Sequence, residues 1–193
     1  MSAVARRAAA VTIAIGALPP HGVLFVERAA HLRDHPGQIG LPGGGVDPAD
    51  GGDLLRTALR ELREELGVVP ERIRFVGRLP TLHQRRNTFD VTPFVAVVAP
   101  GPYTIDGDET AGMFAIPLLR IVEGGLRDGI VAYRGMQIDT LVLDFEGRRV
   151  WGLTARILRS FLDAWEDDGT GLRASVEAAL AAATLAQPAE GSS

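Results

Sequence analysis

The sequence predicts an α+β domain in which helices pack in layers against a mixed β-sheet. Several short segments alternate apolar with polar residues, as strands do. Longer segments lie between them, and in these the apolar residues recur every three or four positions, as in helices. The 193 residues suffice for one hydrophobic core, and the 46% hydrophobic and 23% charged residues are the balance of an ordinary globular protein. No internal repeat and no linker divides the chain.

Five segments have the pattern of strands, and a turn at Pro19-Pro20 separates the first two. The predicted strands are residues 7–16, 21–28, 72–79, 88–99 and 137–145, and a short apolar piece lies within 112–122. Proline lacks the backbone N–H that a sheet ladder needs. Pro93 therefore predicts that the fourth strand is either an edge strand or interrupted.

The segment from Leu54 to Leu66 is predicted as a helix that ends at Gly67, because its apolar residues recur at helical spacing and glycine favours the conformation that follows a helix end. Two further helices are predicted over 153–165 and 172–186. Residues 29–53 are predicted to form a long loop, which inside a domain is usually functional or disordered. The sequence thus predicts a single domain over 1–186 and a disordered tail over 187–193.

The composition excludes several functional classes. The chain has no cysteine, so disulfides, thiol catalysis and cysteine-ligated zinc are excluded. It also has no lysine, which excludes Schiff-base chemistry and a P-loop lysine. The net charge of −4 is unlike the basic surface of a non-specific nucleic-acid binder, so we expect no nucleic-acid partner.

No apolar run reaches the length of a membrane span, so we expect no membrane partner. The basic start and the apolar run that follows, over residues 6–18, have some features of a short signal peptide. The alternation of Val11, Ile13 and Ile15 with small or polar residues favours a first strand instead. We therefore expect a cytoplasmic protein.

Three carboxylates are predicted to lie together on the helix over 54–66. Glu61, Glu64 and Glu65 are three and four positions apart, which makes them neighbours on one surface. Arg60 can reach Glu64 but leaves most of this charge uncompensated, and such oxygen clusters suit Mg²⁺ or Mn²⁺. A solvated acidic face is the usual alternative. The preceding glycine loop favours the metal site, because it lets the backbone approach a cation or a phosphate closely.

The segment Arg60-Glu-Leu-Arg-Glu-Glu-Leu-Gly-Val68 resembles the second half of the Nudix box and meets each of its specified positions. The resemblance implies a Nudix-type α/β/α sandwich, with the box as a loop–helix–loop. It further implies that Glu61, Glu64 and Glu65 bind a divalent metal, that Arg60 holds the glutamates by ion pairing, and that the backbone carbonyl of Gly44 adds a metal ligand.

The first half of the box departs from the general pattern. Gly52 stands where the pattern has glutamate, and the stretch from Gly44 to Arg60 is two residues longer. Asp50 or Asp53 could replace the missing acid, most simply as the N-cap of the helix.

The segment before the box resembles the coenzyme A pyrophosphatase branch of this family. The matching positions are Arg28, Ala29, Arg33, Gly37 and Pro42-Gly43-Gly44, whereas Val26 and Leu41 replace a threonine and a phenylalanine of the signature. The resemblance implies metal-dependent hydrolysis of the pyrophosphate bond of coenzyme A or its derivatives. The products would be 3′,5′-ADP and 4′-phosphopantetheine.

The resemblance also implies the roles of individual residues. Arg28, Arg33, Gly43 and Gly44 would bind the substrate, since guanidinium groups suit phosphate. Glu61 or Glu64 would take the proton of the attacking water, and Glu109 is a further candidate.

Two alternative functions stay open at this point. The substrate of a Nudix pyrophosphatase can be another nucleoside diphosphate derivative, such as ADP-ribose, NADH or a nucleoside triphosphate. The chain can also be a non-catalytic nucleotide-binding module, although it keeps all three helix carboxylates. A homodimer is possible, but no residue pattern locates an interface.

Overall fold

The computed structural model describes residues 6–32, 35–83, 89–105 and 107–185. The strands are β1 Arg7–Gly16, β2 Gly22–Arg28, β3 Ile39–Gly40, β4 Gly43–Gly45, β5 Ile73–Arg78, β6 Leu82–His83, β7 Phe89–Val98, β8 Thr110–Pro117, β9 Leu126–Tyr133, β10 Met136–Phe145 and β11 Arg148–Trp151. The α-helices are α1 Leu54–Leu66, α2 Leu118–Arg120, α3 Gly152–Glu166 and α4 Leu172–Leu185. Single turns of other helix types cover Pro48–Asp50, Pro70–Arg72, Ile121–Gly125 and Asp168–Thr170.

The main sheet is mixed, as predicted. Its strand order is β3-β2-β1-β7-β5, and β1 runs parallel to β7 whereas the other pairs are antiparallel. One edge of β1 is shared between two partners, because β2 pairs near its end at Ile15 and β4 pairs near its start, where Ala10 faces Gly44. This sharing places the glycine strand β4 alongside the first half of β1, where it also packs against helix α1.

Helices cover both faces of this sheet and so form the predicted α/β/α layers. On one face, Leu62 and Leu66 of α1 pack against Ala14 and Leu24 of the central strands. On the other face, α3 and α4 contribute to the largest core, to which the fully buried Phe161 belongs. A separate three-stranded antiparallel sheet, in the order β11-β10-β9, packs with α3.

Helix α1 begins and ends where the sequence predicts. The side chain of Asp53 accepts a hydrogen bond from the backbone N–H of Leu55 and caps the start, and Gly67 adopts the left-handed conformation at the end. Not all of its leucines are buried, since Leu55 stays 37% exposed while Leu62 is fully buried. Helix α1 also packs against the glycine strand β4.

The prediction that Pro93 lies in an edge strand or at a break is wrong. Strand β7 is continuous and central, with β1 on one side and β5 and β6 on the other. The interruption falls in the neighbouring strand, since β5 ends at Arg78 and β6 begins at Leu82. The Pro93 carbonyl accepts from the N–H of Leu79 in that connection. Because both backbone groups of a residue face the same neighbour, the missing N–H also faces the connection and costs no ladder bond.

Other sequence predictions are refined by the structure. The loop over 29–53 contains β3, β4 and the turn Pro48–Asp50, and strands β9 and β11 have no counterpart among the predicted strands. The proposed tail over 187–193 lies outside the described residues. None of the helices in the described ranges is long and apolar enough to cross a membrane.

The substitution Leu62→Ala is expected to lower the free energy of unfolding by about 2–5 kcal/mol, because it leaves a cavity between α1 and the sheet. The measurement is urea unfolding followed by circular dichroism. The substitution Leu55→Ala on the same helix is the control, and equal losses for the two variants would contradict the packing of α1 described above.

Candidate active site

The side chain of Arg60 joins the glycine strand, the preceding turn and helix α1. Its Nε and Nη2 donate to the two carboxylate oxygens of Asp50, each at 3.1 Å. Nη2 also donates to the carbonyl of Gly45 at 2.9 Å, and Nη1 donates to Glu61 Oε1 and Glu64 Oε2, both at 2.8 Å. These contacts use all five N–H donors of the guanidinium. Arg60 therefore has one defined position in the site.

Asp50 has the environment of a structural carboxylate. It is 4% exposed and also accepts from the hydroxyl of Thr57 and the backbone N–H of Asp47, at 2.8 and 2.9 Å. The hydrogen bond from Arg60 is the largest of the effects that lower the pKa of Asp50 to about 2. Asp50 thus stays ionised at any pH near neutrality.

The structure separates the two acids that could replace the glutamate missing at position 52. Asp53 caps helix α1, whereas Asp50 pairs with Arg60. The expectation that the replacement acts as a helix cap therefore holds for Asp53 alone, and the ion pair of Asp50 was missed. Asp50 comes within reach of Arg60 because the turn Pro48–Asp50 folds it back over the helix.

Glu65 is a buried carboxylate on the inner side of α1. It is 8% exposed, and its Oε2 accepts from the backbone N–H of Gly43 at 3.0 Å. Burial is the largest of the effects that raise the pKa of Glu65 to about 8, and the hydrogen bond from Gly43 offsets only part of it. A cation bound nearby would therefore favour the charged form of Glu65.

Glu61 lies directly against the glycine strand. A Cβ added at Gly44 would lie 2.7 Å from the carboxyl carbon of Glu61, so only glycine leaves that carboxylate in place. Burial raises the pKa of Glu61, although Arg60 acts in the opposite direction. Glu64, in contrast, has a side chain that is 55% exposed.

Two residues from outside the helix influence these carboxylates. The positive charge of Arg28, at the end of β2, lowers the pKa of Glu65, while the negative charge of Glu109 raises the pKa of both Glu61 and Glu65. The backbone joins the two segments, since the carbonyl of Glu109 accepts from the N–H of Ala29 at 2.9 Å. Arg28 and Glu109 therefore lie on the side of the site formed by β2 and β8.

These residues fit a divalent cation. The donors are carboxylate and backbone oxygens, which Mg²⁺ and Mn²⁺ prefer, and the buried Glu65 lacks full charge compensation. Among the described residues, no three acidic or histidine side chains converge on one point as they stand. The reason is visible in the contacts: Glu61 and Glu64 turn to Arg60, and Glu65 turns to Gly43.

Arg33 and Gly43 are two further residues that the resemblance assigns to substrate binding. Arg33 lies outside the described residues, so nothing follows for it here. Gly43 was predicted to bind substrate, but its N–H donates to Glu65 in this structure. The loop histidines have local partners, since His35 contacts Gln38 and His83 contacts Asp90.

Comparison with known proteins places the chain in a family. The NUDIX domain matches residues 6–118, which is more than half of the chain. The chain belongs to the Nudix family. Nudix hydrolases act on pyrophosphate-bearing substrates and generally use Mg²⁺ or Mn²⁺. Relatives from Salmonella paratyphi B and Salmonella newport, each named "Uncharacterized Nudix hydrolase NudL", are 37% identical over 156 residues, with 80% of both chains covered.

Solved structures support the same fold. A nudix hydrolase family member from Chromobacterium violaceum has a TM-score of 0.58 and 17% identity, covering 96% of this chain and all of that one. A MutT/nudix family protein from Enterococcus faecalis has a TM-score of 0.54 and 15% identity, covering 97% and 79%. At these identities the likeness shows the Nudix fold alone.

The substitution Gly44→Ala is expected to lower kcat/KM by about 100-fold, since displacing a reacting group by about 1 Å can cost that much. The new methyl group meets a flexible side-chain end, so Glu61 moves aside and the fold persists. Steady-state kinetics and the melting temperature are the measurements.

The matched control for Gly44→Ala is Gly45→Ala, where an added Cβ only reaches ordinary contact with Phe89 at 3.8 Å. Full activity of the Gly44 variant would show that Glu61 does not need its position.

Proposed function

We propose that this Nudix hydrolase cleaves the pyrophosphate bond of coenzyme A or one of its derivatives. The supporting observation is that the segment resembling the coenzyme A branch leads into the carboxylate cluster. Arg28 stabilises the charge of Glu65, and Gly43 and Gly44 contact Glu65 and Glu61 from the glycine strand. Three of the residues that carry the resemblance, Arg28, Gly43 and Gly44, thus act on the carboxylates of the box.

In this proposal Glu61, Glu64, Glu65 and the carbonyl of Gly44 hold the divalent cation. The cation, when bound, neutralises oxygens of the diphosphate and lowers the pKa of the attacking water. Arg60 keeps Glu61 and Glu64 in place through the contacts described above.

Proton transfer needs a carboxylate within reach of the water. Glu61 and Glu64 stay candidates. Glu109 is the third, and it is supported by its electrostatic influence on Glu61 and Glu65 together with its exposure to solvent. Water adds across one P–O bond, so each product keeps one phosphate of the original pair.

Arg28 is best suited to the diphosphate itself. Its charge acts on Glu65, which belongs to the proposed metal cluster, so Arg28 is a candidate to bind a phosphate of a diphosphate held by the cation. The 3′-phosphate of coenzyme A is a separate group, on the 3′ carbon of the ribose that carries the diphosphate at its 5′ position. For that group Arg33 remains the candidate that the resemblance implies.

Other diphosphates are the main alternative. The NUDIX domain of Shewanella oneidensis NrtR, solved in complex with ADP ribose, has a TM-score of 0.50 and 23% identity, which shows a shared fold alone. A binding module without turnover is disfavoured because Glu61, Glu64 and Glu65 are all retained. ADP-ribose and NADH therefore serve as competing substrates in the test.

The decisive experiment separates the products after the pure protein is incubated with coenzyme A and Mg²⁺, with ADP-ribose and NADH in parallel. We expect 4′-phosphopantetheine and 3′,5′-ADP to form fastest, and EDTA to stop the reaction until Mg²⁺ is restored. Turnover of ADP-ribose or NADH alone would refute the coenzyme A assignment and leave the Nudix chemistry. No turnover of any of the three would favour another substrate, such as a nucleoside triphosphate, or the binding module.

The substitution Glu65→Gln is expected to lower kcat by more than about 100-fold, beyond the usual cost of losing an outer-shell partner of a metal site. Glutamine can still accept from Gly43 and carries no buried charge, so the melting temperature should not fall. The exposed Glu71→Gln on a neighbouring turn is the control. Magnesium-dependent turnover at the wild-type rate in the Glu65 variant would refute its role as a ligand.

A further inference from the structure

We propose that Asp50 is a positioning residue for the metal site and acts through Arg60. In this role its carboxylate binds Nε and Nη2 of the guanidinium and balances the guanidinium charge. The carboxylates of Glu61 and Glu64 then remain available to a divalent cation. The inference rests on the proposed metal-dependent function and extends it to a residue outside the Nudix helix.

The geometry divides the guanidinium of Arg60 into two sides. Nε and Nη2 face Asp50, and Nη1 alone faces Glu61 and Glu64. The paired contact between a planar guanidinium and a carboxylate fixes orientation as well as distance. As long as Asp50 keeps this contact, Arg60 cannot turn a second nitrogen toward the glutamates.

Asp50 is itself held firmly. Its carboxylate accepts from Thr57 and from the backbone of Asp47, and the side chain of Asp47 in turn caps the turn that carries Asp50. The carboxylate is buried, so it has a fixed position before any ligand binds. The stretch that is two residues longer than in the general box thus contains the turn that places the Asp50 carboxylate next to Arg60.

The charge balance explains how Asp50 would affect the binding of a cation. Asp50 and Arg60 together form a nearly neutral pair, which leaves the charges of Glu61, Glu64 and Glu65 for an external cation. Without Asp50, the full charge of Arg60 would be directed at Glu61 and Glu64. The guanidinium would then compete with the metal for the same oxygens.

The test measures Mn²⁺ binding to the full chain by electron paramagnetic resonance, without substrate. We expect Asp50→Asn to raise the Kd for Mn²⁺ by about 10- to 100-fold, the usual effect of losing an outer-shell partner. Asp53→Asn is the matched control, because asparagine caps a helix as well as aspartate does. It should bind Mn²⁺ as the wild type does.

A double-mutant cycle shows whether Asp50 acts through Arg60. In an Arg60→Gln background, Asp50→Asn should have little further effect on the Kd, whereas independent roles would give additive losses and overturn the proposal. If Asp50→Asn does not fold, Thr57→Val decides instead. It removes one hydrogen bond to Asp50 with every charge retained, and it should still weaken Mn²⁺ binding several-fold.

The outcomes distinguish this inference from the proposed function. Unchanged Mn²⁺ affinity in folded Asp50→Asn, or in Thr57→Val where that variant decides, would overturn the role of Asp50 and leave the metal site intact. A wild-type chain that binds no Mn²⁺ would overturn the metal-dependent function, and the role of Asp50 with it.

Discussion

The arrangement of the site depends on the guanidinium of Arg60. A planar group with five donors can satisfy acceptors from several directions at once, which an ammonium group cannot do in a fixed geometry. Here those acceptors belong to a turn, a strand and a helix, represented by Asp50, Gly45 and Glu64. The relative positions of these three elements are therefore coupled to one side chain, and the box helix cannot shift without breaking several charge-assisted bonds.

A second coupling runs between the helix and the glycine strand at the other end of this cluster. Glu65 accepts from Gly43, and Glu61 fills the space beside Gly44 that a side chain would need. Burying Glu65 is unfavourable for its charged form, and the protein compensates this only in part. The negative charge of these carboxylates is therefore not fully balanced, which favours the binding of a divalent cation. The packing of Leu62 and Leu66 stabilises helix α1, on which these carboxylates lie.

The sequence was sufficient for features that depend on local pattern. The bounds of α1 were predicted correctly because helical spacing and Gly67 define them, and the layered α+β architecture follows from the order of the segments. The neighbouring carboxylates of α1 were also evident from spacing.

Features that depend on a distant partner were missed. The central position of β7 required knowing that its neighbour is interrupted opposite Pro93. The pairing of Asp50 with Arg60 required the path of the nine residues between them. Strands β9 and β11 also lack a clear period and form through pairing with β10.

The self-capped turn at Asp47–Asp50 has a consequence for recognising related sequences. A carboxylate that reaches its arginine through such a turn need not stand at a constant distance along the chain. Loops of different length can therefore deliver an acid to the same point, and a search pattern with fixed spacing would count this chain as lacking a residue whose chemistry it retains. Comparing such loops by where their carboxylates end in space, instead of by aligned columns, would group together enzymes that a rigid motif separates.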